Sequence, residues 1–458
     1  MTPPRHIFRE YDIRGLHATE LGDEVAEAVG GAFGSLLAET GARVAVGQDV
    51  RPSSPRLAAG IERGLSAAGV AVERVGVVPT PALYYAVAAR GLDGGIQITG
   101  SHNPPEFNGF KLTRGAQPVF GAEIQAMRER IERGAVRRAP QPAGITDRPV
   151  LDEYRAMLVE RLASPRGLHV VMDCGNGCAG TVVPQGFERM GHRVEALFAE
   201  LDGRFPNHLP DPTVPALMVD LAAAVTRTGA DLGIGFDGDA DRIGAVDHRG
   251  RMVFGDQILA LLARDVLTRV PGAEIIFDVK CSQGLAEDIV AHGGRPSMWK
   301  TGHSLIKSRL LETGAPLAGE MSGHMFFREG YFGFDDALFA AGRLLRFVAA
   351  SGRSFAELVD SIPHYFATPE TRLGCPEERK FQIVEELRRE FAGRYRVIDI
   401  DGVRVEFGDG WGLVRASNTQ PALVVRFEAR SPERLEEIRR MFLEPLKRLG
   451  VGEAAVGH

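Results

Sequence analysis

The sequence predicts an α/β fold of three related units, followed by a smaller α+β domain at the carboxyl end. Three strand-like segments end in an aspartate and a turn, and each is followed by a second short strand that runs into a polar loop. Segments with apolar spacing near 3.6 residues lie between these strands, as expected for helices. Alternation of strand and helix favours mixed, mainly parallel sheets, which we expect to be arranged around a central cleft.

The repeated strands are short and apolar. The first strand of each unit is Val44–Asp49, Val170–Asp173 and Ile275–Asp278. The second strand is Gly95–Thr99, Leu232–Phe236 and Leu317–Glu320. Their shared pattern indicates internal repeats. Because the loops after parallel strands gather at one edge of a sheet, we expect the three polar loops to face one cleft.

Helical spacing and turn residues divide the chain further. Apolar residues at helical spacing occur in segments 55–65 and 214–225. Proline-rich or turn-forming stretches at 138–144, 247–250 and 362–369 mark joints. The predicted units are therefore residues 1–145, 146–250, 251–367 and 368–458.

The last unit differs from the other three. Val403–Phe407 alternates like a half-exposed strand, Leu423–Glu428 reads as a second strand, and Pro432–Lys447 reads as an amphipathic helix. This order of elements predicts a separate α+β domain. Such a domain could act as a lid over the cleft.

Composition narrows the class of protein. The chain has 458 residues, of which 44% are hydrophobic and 25% charged, the balance of a folded globular protein. Its net charge of −6 argues against nucleic acid as a partner, since phosphate-backbone binding needs a basic surface. We find no apolar stretch of signal-peptide or membrane-spanning length, so we expect a cytoplasmic protein with no membrane partner. The four cysteines are expected to be reduced core residues.

The loop Thr99–Lys111 is dense in residues that turn the backbone or bind anions. A hydroxyl at Ser101 could carry a phosphoryl group, because a phosphate ester of serine hydrolyses slowly. His102 and Lys111 could balance the charge of that group. From the Ser-His pair alone, an ordinary turn would be the better interpretation, and only the complete string favours a carrier.

A second loop places Asp237, Asp239 and Asp241 at alternate positions after an apolar strand. This spacing lets an extended loop wrap carboxylate oxygens around one hard cation such as Mg²⁺. An EF-hand would need glycine and glutamate where this chain has Arg242 and His248. A phosphatase with an aspartyl nucleophile remains compatible with this loop on its own.

Two further loops carry groups suited to a phosphosugar. The segment Gly319–His324 offers a carboxylate, a hydroxyl and an imidazole, which match vicinal sugar hydroxyls. The segment Arg415–Gln420 offers a guanidinium, hydroxyls and an amide, which match a phosphate. A buried histidine and a plain surface turn are the competing interpretations. Weaker candidates for the same pocket are Tyr11, Arg14, Lys280, Lys300 and His303.

Together these loops resemble the α-D-phosphohexomutase superfamily and are most similar to bacterial phosphomannomutase/phosphoglucomutase. Four motifs carry the resemblance, in the family's order, between Tyr11 and Thr419. They are Thr-Gly-Ser-His-Asn-Pro (99–104), Asp-Gly-Asp-Ala-Asp-Arg (237–242), Gly-Glu-Met-Ser-Gly-His (319–324) and Arg-Ala-Ser-Asn-Thr (415–419). The resemblance implies three α/β domains and a smaller carboxy-terminal domain around a deep cleft.

The resemblance also implies roles for individual residues. Ser101 would carry the phosphoryl group and, with the three aspartates, hold Mg²⁺. Arg14, His102, Lys111 and Arg242 would assist the transfer, with the general base left open among His102, Lys111 and His324. Substrate contacts would come from Tyr11, Asn103, Lys280, His303, Glu320, Met321, Ser322, Gly323, His324, Arg415, Ala416, Ser417, Asn418 and Thr419.

The expected reaction moves phosphate between the 1- and 6-hydroxyls of a hexose. Because one serine cannot reach both oxygens in a single pose, a hexose 1,6-bisphosphate must turn around in the cleft, and glucose 1,6-bisphosphate is the expected activator. We expect mannose and glucose phosphates to be substrates, since Glu320 and Ser322 would contact hydroxyls that both sugars share. A phosphoglucosamine mutase and a catalytically silent phosphosugar-binding protein are the alternatives.

Overall fold

A computed structural model describes residues 3–37, 41–417 and 421–452 of the chain. The first sheet runs in the order β1-β5-β4-β2-β3-β7, with β6 paired to β5. Its strands are β1 Ile13–Leu16, β2 Arg43–Gln48, β3 Ala71–Val77, β4 Gly94–Ile98, β5 Phe107–Arg114, β6 Gln117–Pro118 and β7 Ile145–Asp147. Its helices are α1 Asp23–Leu36, α2 Ser54–Ala67, α3 Thr80–Arg90 and α4 Ala122–Glu132, with a 3₁₀ turn at Arg5–Ile7.

The second sheet runs in the order β12-β11-β10-β8-β9. Its strands are β8 His169–Asp173, β9 Arg193–Leu197, β10 Leu232–Phe236, β11 Ile243–Asp247 and β12 Met252–Val253. The helices of this region are α5 Leu151–Leu162, α6 Val183–Arg189 and α7 Val219–Thr228, with 3₁₀ turns at Cys178–Thr181 and Pro215–Leu217.

The third sheet runs in the order β14-β13-β15-β16. Its strands are β13 Glu274–Asp278, β14 Arg295–Trp299, β15 Leu317–Gly319 and β16 Met325–Phe327. The helices are α8 Gly255–Arg269, α9 Gln283–Ala291, α10 His303–Thr313, α11 Ala337–Ser351 and α12 Phe355–Asp360.

The fourth sheet is antiparallel throughout, in the order β17-β22-β21-β20-β19, with β18 also on β22. Its strands are β17 Phe366–Ala367, β18 Thr371–Gly374, β19 Arg396–Ile398, β20 Val403–Glu406, β21 Gly410–Ala416 and β22 Ala422–Ala429. Helices α13 Lys380–Ala392 and α14 Pro432–Arg448 complete this α+β domain. The predicted fold class is confirmed.

The predicted internal repeats correspond to one four-strand unit that occurs three times. In each unit the first repeated strand is central and parallel to both neighbours, and an antiparallel strand follows on one side. The two repeated strands lie side by side, with Val44 opposite Gly94, Val170 opposite Leu232 and Ile275 opposite Leu317. The three polar loops therefore occupy the same position, between the second repeated strand and the antiparallel one.

The aspartate at the end of each first strand has a structural reason. The Oδ1 atoms of Asp49, Asp173 and Asp278 accept the backbone N–H two residues later, at 3.0, 2.8 and 3.2 Å. Such a bond lets a short acidic side chain close the turn after a strand. The residues whose N–H is accepted are Arg51, Gly175 and Lys280.

Most of the apolar core of the last domain is separate from the other three, and a small cluster of Val279, Trp411 and Leu413 joins it to the third domain. One large cluster of buried side chains runs from Ala45 to Ile362 and draws on all three α/β units. A separate cluster, from Leu373 to Val451, forms the interior of the last domain. All four cysteines fall within the described ranges and are buried and free, in agreement with the prediction.

Short strands cross the predicted domain limits. β7 adds residues up to Asp147 to the first sheet, β12 adds Met252–Val253 to the second, and β17 pairs with the fourth. The three boundaries between the four predicted domains stay a prediction. Among the described residues, no helix has the length and apolar character needed to cross a membrane.

Candidate active site

The hydroxyl of Ser101 lies at the loop between β4 and β5 and points at the aspartate loop. It donates a hydrogen bond to Asp237 Oδ2 at 2.8 Å and lies 3.0 Å from His102 Nδ1. The Ser101 backbone adopts φ +50°, and its N–H donates to Thr99 Oγ1 at 2.8 Å. A non-glycine residue in this region costs about 1–3 kcal/mol, so its surroundings must hold it there. The loop thus aims one buried oxygen at a carboxylate from another sheet.

The three aspartates lie in the equivalent loop between β10 and β11, and all are fully buried. Oxygens of Asp237, Asp239 and Asp241 lie within 4.8 Å of one another. Among the described residues, Asp239 Oδ1 has no hydrogen-bond donor. Burial and the neighbouring carboxylates raise the pKa of Asp237 well above its ordinary value. Clustered carboxylate oxygens with an unpartnered member fit a divalent cation, as predicted from their spacing.

Lys111 is the cation that the structure places among these carboxylates. It comes from β5, and its ammonium group donates to Asp239 Oδ2 at 2.7 Å and also to Asp241 Oδ2. Burial works to lower the pKa of Lys111, but Asp239 and Asp241 outweigh it and hold this pKa well above its ordinary value. Lys111 therefore stays charged and joins the first sheet to the aspartate loop.

The aspartate loop packs closely against the first domain at Thr80 and Gly238, two residues that the sequence motifs do not indicate. Thr80, at the start of α3, gives its N–H to Asp239 O at 2.9 Å and its hydroxyl to the same residue's carboxylate. A side chain at Gly238 would place Cβ 2.5 Å from Ser101 O, so only glycine permits this approach. A threonine before a helix and a glycine in a turn are common, so neither gives a distinctive sequence signal.

The loop Gly319–His324 follows β15 and meets the aspartate loop directly. His324 Nε2 lies 3.3 Å from Asp241 Oδ1, and His324 Nδ1 lies 3.1 Å from Glu320 Oε2. Burial opposes protonation, but Asp241 raises the pKa of His324 to about 9. Ser322 Oγ is 3.1 Å from the same ring, while Met321 contacts Arg426. Gly323 accepts the N–H of Ile243, which follows the aspartate loop. His324 is thus a charged link between the two loops.

Histidines on either side of the site differ in charge. The ring of His303 stacks on His324 with centroids 5.3 Å apart, and Tyr11 meets His303 edge-on at 6.1 Å. By contrast, burial and the charges of Arg242 and Arg14 hold the pKa of His102 well below its usual range. His102 is therefore neutral beside Ser101, whereas His324 is charged.

Several predicted residues are held by partners of their own. Arg14 pairs with Asp12, and Lys280 Nζ donates to Glu370 Oε2 at 3.0 Å. The side-chain amide of Asn103 donates to Gly100 O at 2.9 Å, so it stabilises the serine loop itself. Arg242 Nε lies 3.4 Å from His324 Nε2. These partners fix where each polar group faces.

The segment that begins with Arg415 lies at the end of β21. Arg415 donates from Nε and from Nη2 to Asp401, at 3.1 and 3.3 Å. Asp401 also accepts the N–H of Thr301 at 2.9 Å, which ties this loop to the third domain. Ala416 lies in β21 opposite Leu423. Ser417 follows it, whereas Asn418 and Thr419 lie outside the described residues.

One cavity of about 1110 Å³ connects these loops. It is larger than the usual range for small-molecule sites, about 300–1,000 Å³. Predicted residues that line it are Tyr11, Arg14, His102, Asn103, Arg242, Lys280, His303, Glu320, Met321, Ser322, His324, Arg415 and Ser417. Ser101, Lys111 and the three aspartates are buried beside it.

A buried serine hydroxyl on a carboxylate cluster, beside a cavity lined by several arginines and histidines, fits a site of the phosphoryl-transfer class. The sequence matches the four domain descriptions of one family. These are Phosphoglucomutase/phosphomannomutase alpha/beta/alpha domain I over residues 5–137, domain II over 152–250, domain III over 254–366 and the C-terminal domain over 370–444.

Known proteins agree with this match over almost the whole chain. A phosphomannomutase/phosphoglucomutase of Pseudomonas syringae is 47% identical over 448 residues, 97% of this chain and 96% of the relative. A phosphoglucomutase of Neisseria gonorrhoeae is 44% identical over 442 residues, 96% of both chains. The crystal structure of a phosphoglucomutase/phosphomannomutase family protein from Burkholderia thailandensis has a TM-score of 0.93 at 41% identity, over 99% of this chain and 100% of that one. The chain belongs to the phosphoglucomutase/phosphomannomutase family.

Proposed function

We propose that this protein is a phosphohexomutase that converts the 1-phosphates of mannose and glucose reversibly into their 6-phosphates. Family membership and the names of its relatives support the reaction class. The observation that carries the proposal is the hydrogen bond from Ser101 Oγ to Asp237, because it sets a potential phosphoryl carrier on a cation-binding cluster. The roles of individual residues below belong to the same proposal.

In the first half-reaction, phosphoserine 101 gives its phosphoryl group to the free hydroxyl of a hexose monophosphate. The sugar oxygen forms the new P–O bond, and the bond from phosphorus to Ser101 Oγ breaks. The sugar hydroxyl loses one proton and Ser101 Oγ gains one, so charge balances. Neutral His102 lies on the serine side and charged His324 on the sugar side. Of these groups, neutral His102 can accept the proton that leaves the sugar hydroxyl, whereas His324 and Lys111 are charged and can supply the proton that Ser101 Oγ gains.

Asp237, Asp239 and Asp241, with an oxygen of the phosphorylated serine, would hold a divalent cation, for which we propose Mg²⁺. When bound, such an ion withdraws negative charge from the phosphoryl oxygens during transfer. Arg14 and Arg242 line the cavity beside His102 and supply further positive charge for the moving phosphoryl group. Lys111 holds two of the three carboxylates in register with the serine loop.

The product of this step, a hexose 1,6-bisphosphate, must reverse its direction before the second transfer. The cavity exceeds the ordinary size of a small-molecule site, so the bisphosphate has room to turn inside it. We propose that Arg415, Ser417, Asn418 and Thr419 grip the phosphate that is not being transferred in either orientation. Glucose 1,6-bisphosphate would activate the protein by rephosphorylating Ser101 whenever the intermediate escapes.

Sugar recognition rests on the loop after β15. The Glu320 carboxylate is oriented by the N–H of Gly302 at 2.7 Å and by charged His324. An ionised carboxylate accepts hydrogen bonds from two neighbouring hydroxyls, and Ser322 adds a third polar group. Because both sugars share the equatorial 3- and 4-hydroxyls, the site would accept mannose and glucose phosphates alike.

The test is the Ser101→Ala variant, assayed for conversion of mannose and glucose 1-phosphates with glucose 1,6-bisphosphate present. We expect the variant to fold, to lose turnover and to show no phosphoryl increment by intact mass, whereas wild type carries one on Ser101. Full turnover by Ser101→Ala would end the phosphoserine proposal. Glucosamine phosphate as a third substrate tests the nearest alternative, a phosphoglucosamine mutase. A wild-type protein that binds these sugars without turnover would be a sensor instead.

A further inference from the structure

A fully buried arginine lies directly beneath the serine loop. The Arg51 guanidinium donates from Nε to Asp49 Oδ2 at 3.1 Å. Its four remaining N–H groups go to carbonyl oxygens of the loop, namely Phe107 at 2.9 Å, Pro104 at 2.6 Å, Ser101 at 2.8 Å and Asn103 at 2.5 Å. All five donors of the side chain are therefore used on one loop and its supporting aspartate.

Asp49 completes this support from below. One of its oxygens accepts the N–H of Gly100 at 3.1 Å, and the other accepts the hydroxyl of Ser54. The side of Arg51 that faces the second domain is covered by Phe205, whose ring centre lies 5.0 Å from the guanidinium carbon. Gly100 packs so closely that an added Cβ would lie 2.5 Å from that carbon. The pair is thus enclosed between the serine loop and a segment of the second domain.

We propose that Arg51 is a positioning residue for phosphoryl transfer, because it holds Ser101 in its left-handed conformation and so fixes where Ser101 Oγ stands relative to Asp237. This inference rests on the proposed function of Ser101. Arg51 does not line the cavity, and it contacts the reacting residue only at the backbone carbonyl of Ser101.

The geometry favours positioning over general support of the fold. Four carbonyl groups converge on one planar fork, and one of them belongs to Ser101 itself. Ser101 also has the positive φ that needs outside restraint. Because both half-reactions use the same oxygen, a displaced loop would slow both. Since Lys280, Glu320 and Arg415 belong to other loops, and the Asn103 amide is bound to Gly100 O within its own loop, substrate affinity should change little.

The experiment compares Arg51→Lys and Arg51→Met with Arg264→Lys and Arg264→Met. Arg264 is a matched control: it is also buried, it forms a fork on Asp288 at 2.9 and 2.6 Å, and it does not line the cavity. For each variant one measures Tm, kcat and KM for glucose 1-phosphate, and radiolabel incorporated at Ser101 from glucose 1,6-bisphosphate. Rates are expressed per folded molecule.

We expect Arg51→Lys to lower kcat about 100-fold with KM within about threefold of wild type, since small misplacements of reacting groups have effects of this order. Arg264→Lys should lower Tm but leave kcat per folded molecule unchanged. The proposal is overturned if Arg51→Lys keeps wild-type kcat, or if its loss lies mainly in KM. If Arg51→Met does not fold, Arg51→Lys still decides. An inactive, unlabelled wild type would instead count against the proposed function.

Discussion

The aspartate loop and the carboxy-terminal domain hold their charged groups in different ways. In the loop, three carboxylates are buried and contacted by Ser101, Thr80 and Lys111, all from the first domain. The apolar cluster behind it is continuous across the three α/β units. The last domain has a largely separate interior, and it meets the third domain through arginine side chains and a small apolar cluster of Val279, Trp411 and Leu413.

This difference matches the two tasks of a mutase. The reacting atoms must return to the same distances in both half-reactions, so their ligands are built into the joined cores of three units. In the proposed reaction, the group that binds the distant phosphate must release and rebind it, and we place that group on the last domain, whose core is largely separate. Each of the following predictions tests one side of this comparison.

Removing one charge from the aspartate loop should lower turnover more than any other change that we predict. We expect Asp239→Asn to lower turnover about 1,000-fold, since cation stabilisation of a transferred phosphoryl group contributes several kcal/mol. The change also weakens the contacts that Asp239 makes with Lys111 and Thr80. The loss is measured from activity as a function of Mg²⁺ concentration, together with calorimetry of Mg²⁺ binding to the variant.

Asp288→Asn is the matched control for that variant. Asp288 is also buried and paired, with Arg264, but stands in α9 away from the cavity. We expect Asp288→Asn to lower the free energy of unfolding without changing how activity depends on Mg²⁺ concentration. If Asp239→Asn retained wild-type Mg²⁺ affinity, the aspartate loop would not be the cation site.

The second effect concerns how the last domain is attached. Arg404 is fully buried, donates to Val279 O at 2.7 Å and to Cys281 O at 2.8 Å, and lies 3.8 Å from the centre of the Trp411 ring. Arg404→Met leaves two buried carbonyls unpaired and removes a cation–π contact, at a cost of about 2–4 kcal/mol. We expect KM for hexose phosphates to rise about tenfold or more, with a smaller fall in kcat.

Thermal unfolding and limited proteolysis would locate the damage in Arg404→Met. We expect cleavage in the segment that precedes β18, with the three α/β units still intact. Arg264→Met, within the third domain, should not produce that cleavage. A uniform loss of stability across all four domains would contradict a separately attached last domain.

Much of the fold could be predicted because the repeated strands carry local signals. A strand ending in aspartate recurs because its carboxylate closes the next turn, and this is visible at Asp49, Asp173 and Asp278. Strands of two residues, such as Met252–Val253, are too short to show any periodicity. Their place in a sheet depends on neighbours distant in the sequence.

The site shows the same limit. Motifs at Ser101 and the aspartates predicted which loops meet, since the units repeat and their loops share one position. The residues that hold those loops were missed: Arg51 binds carbonyls about fifty residues away, and Asp401 links Arg415 to Thr301. Contacts between distant charged and backbone groups leave no local pattern in a single sequence. Their importance emerges only when the chain is folded.

A smaller effect is expected at Asp401, which orients Arg415. Asp401→Asn removes the charge of a paired carboxylate, worth about 1–2 kcal/mol in an ion-paired hydrogen bond. We expect KM for hexose phosphates to rise about three- to tenfold at nearly constant kcat. Steady-state kinetics measure it, with Asp409→Asn as a control, because Asp409 pairs with Arg434 on the exposed side of the same domain. A fall in KM would mean that Asp401 competes with the phosphate instead.

The last effect is a dependence of stability on acid, at the contact between Lys280 and Glu370. Burial works to raise the pKa of Glu370, but Lys280 and Arg372 outweigh it and lower this pKa to about 2, from an ordinary value of 4.5. Because the folded pKa lies below the unfolded one, this contact stabilises the protein fully above pH 4.5 and loses its contribution as the pH falls towards 2. The difference in urea midpoint between wild type and Glu370→Gln should therefore shrink steadily as the pH falls below about 4.5. A difference that stayed constant through this range would show that Glu370 holds the last domain by packing and not by charge.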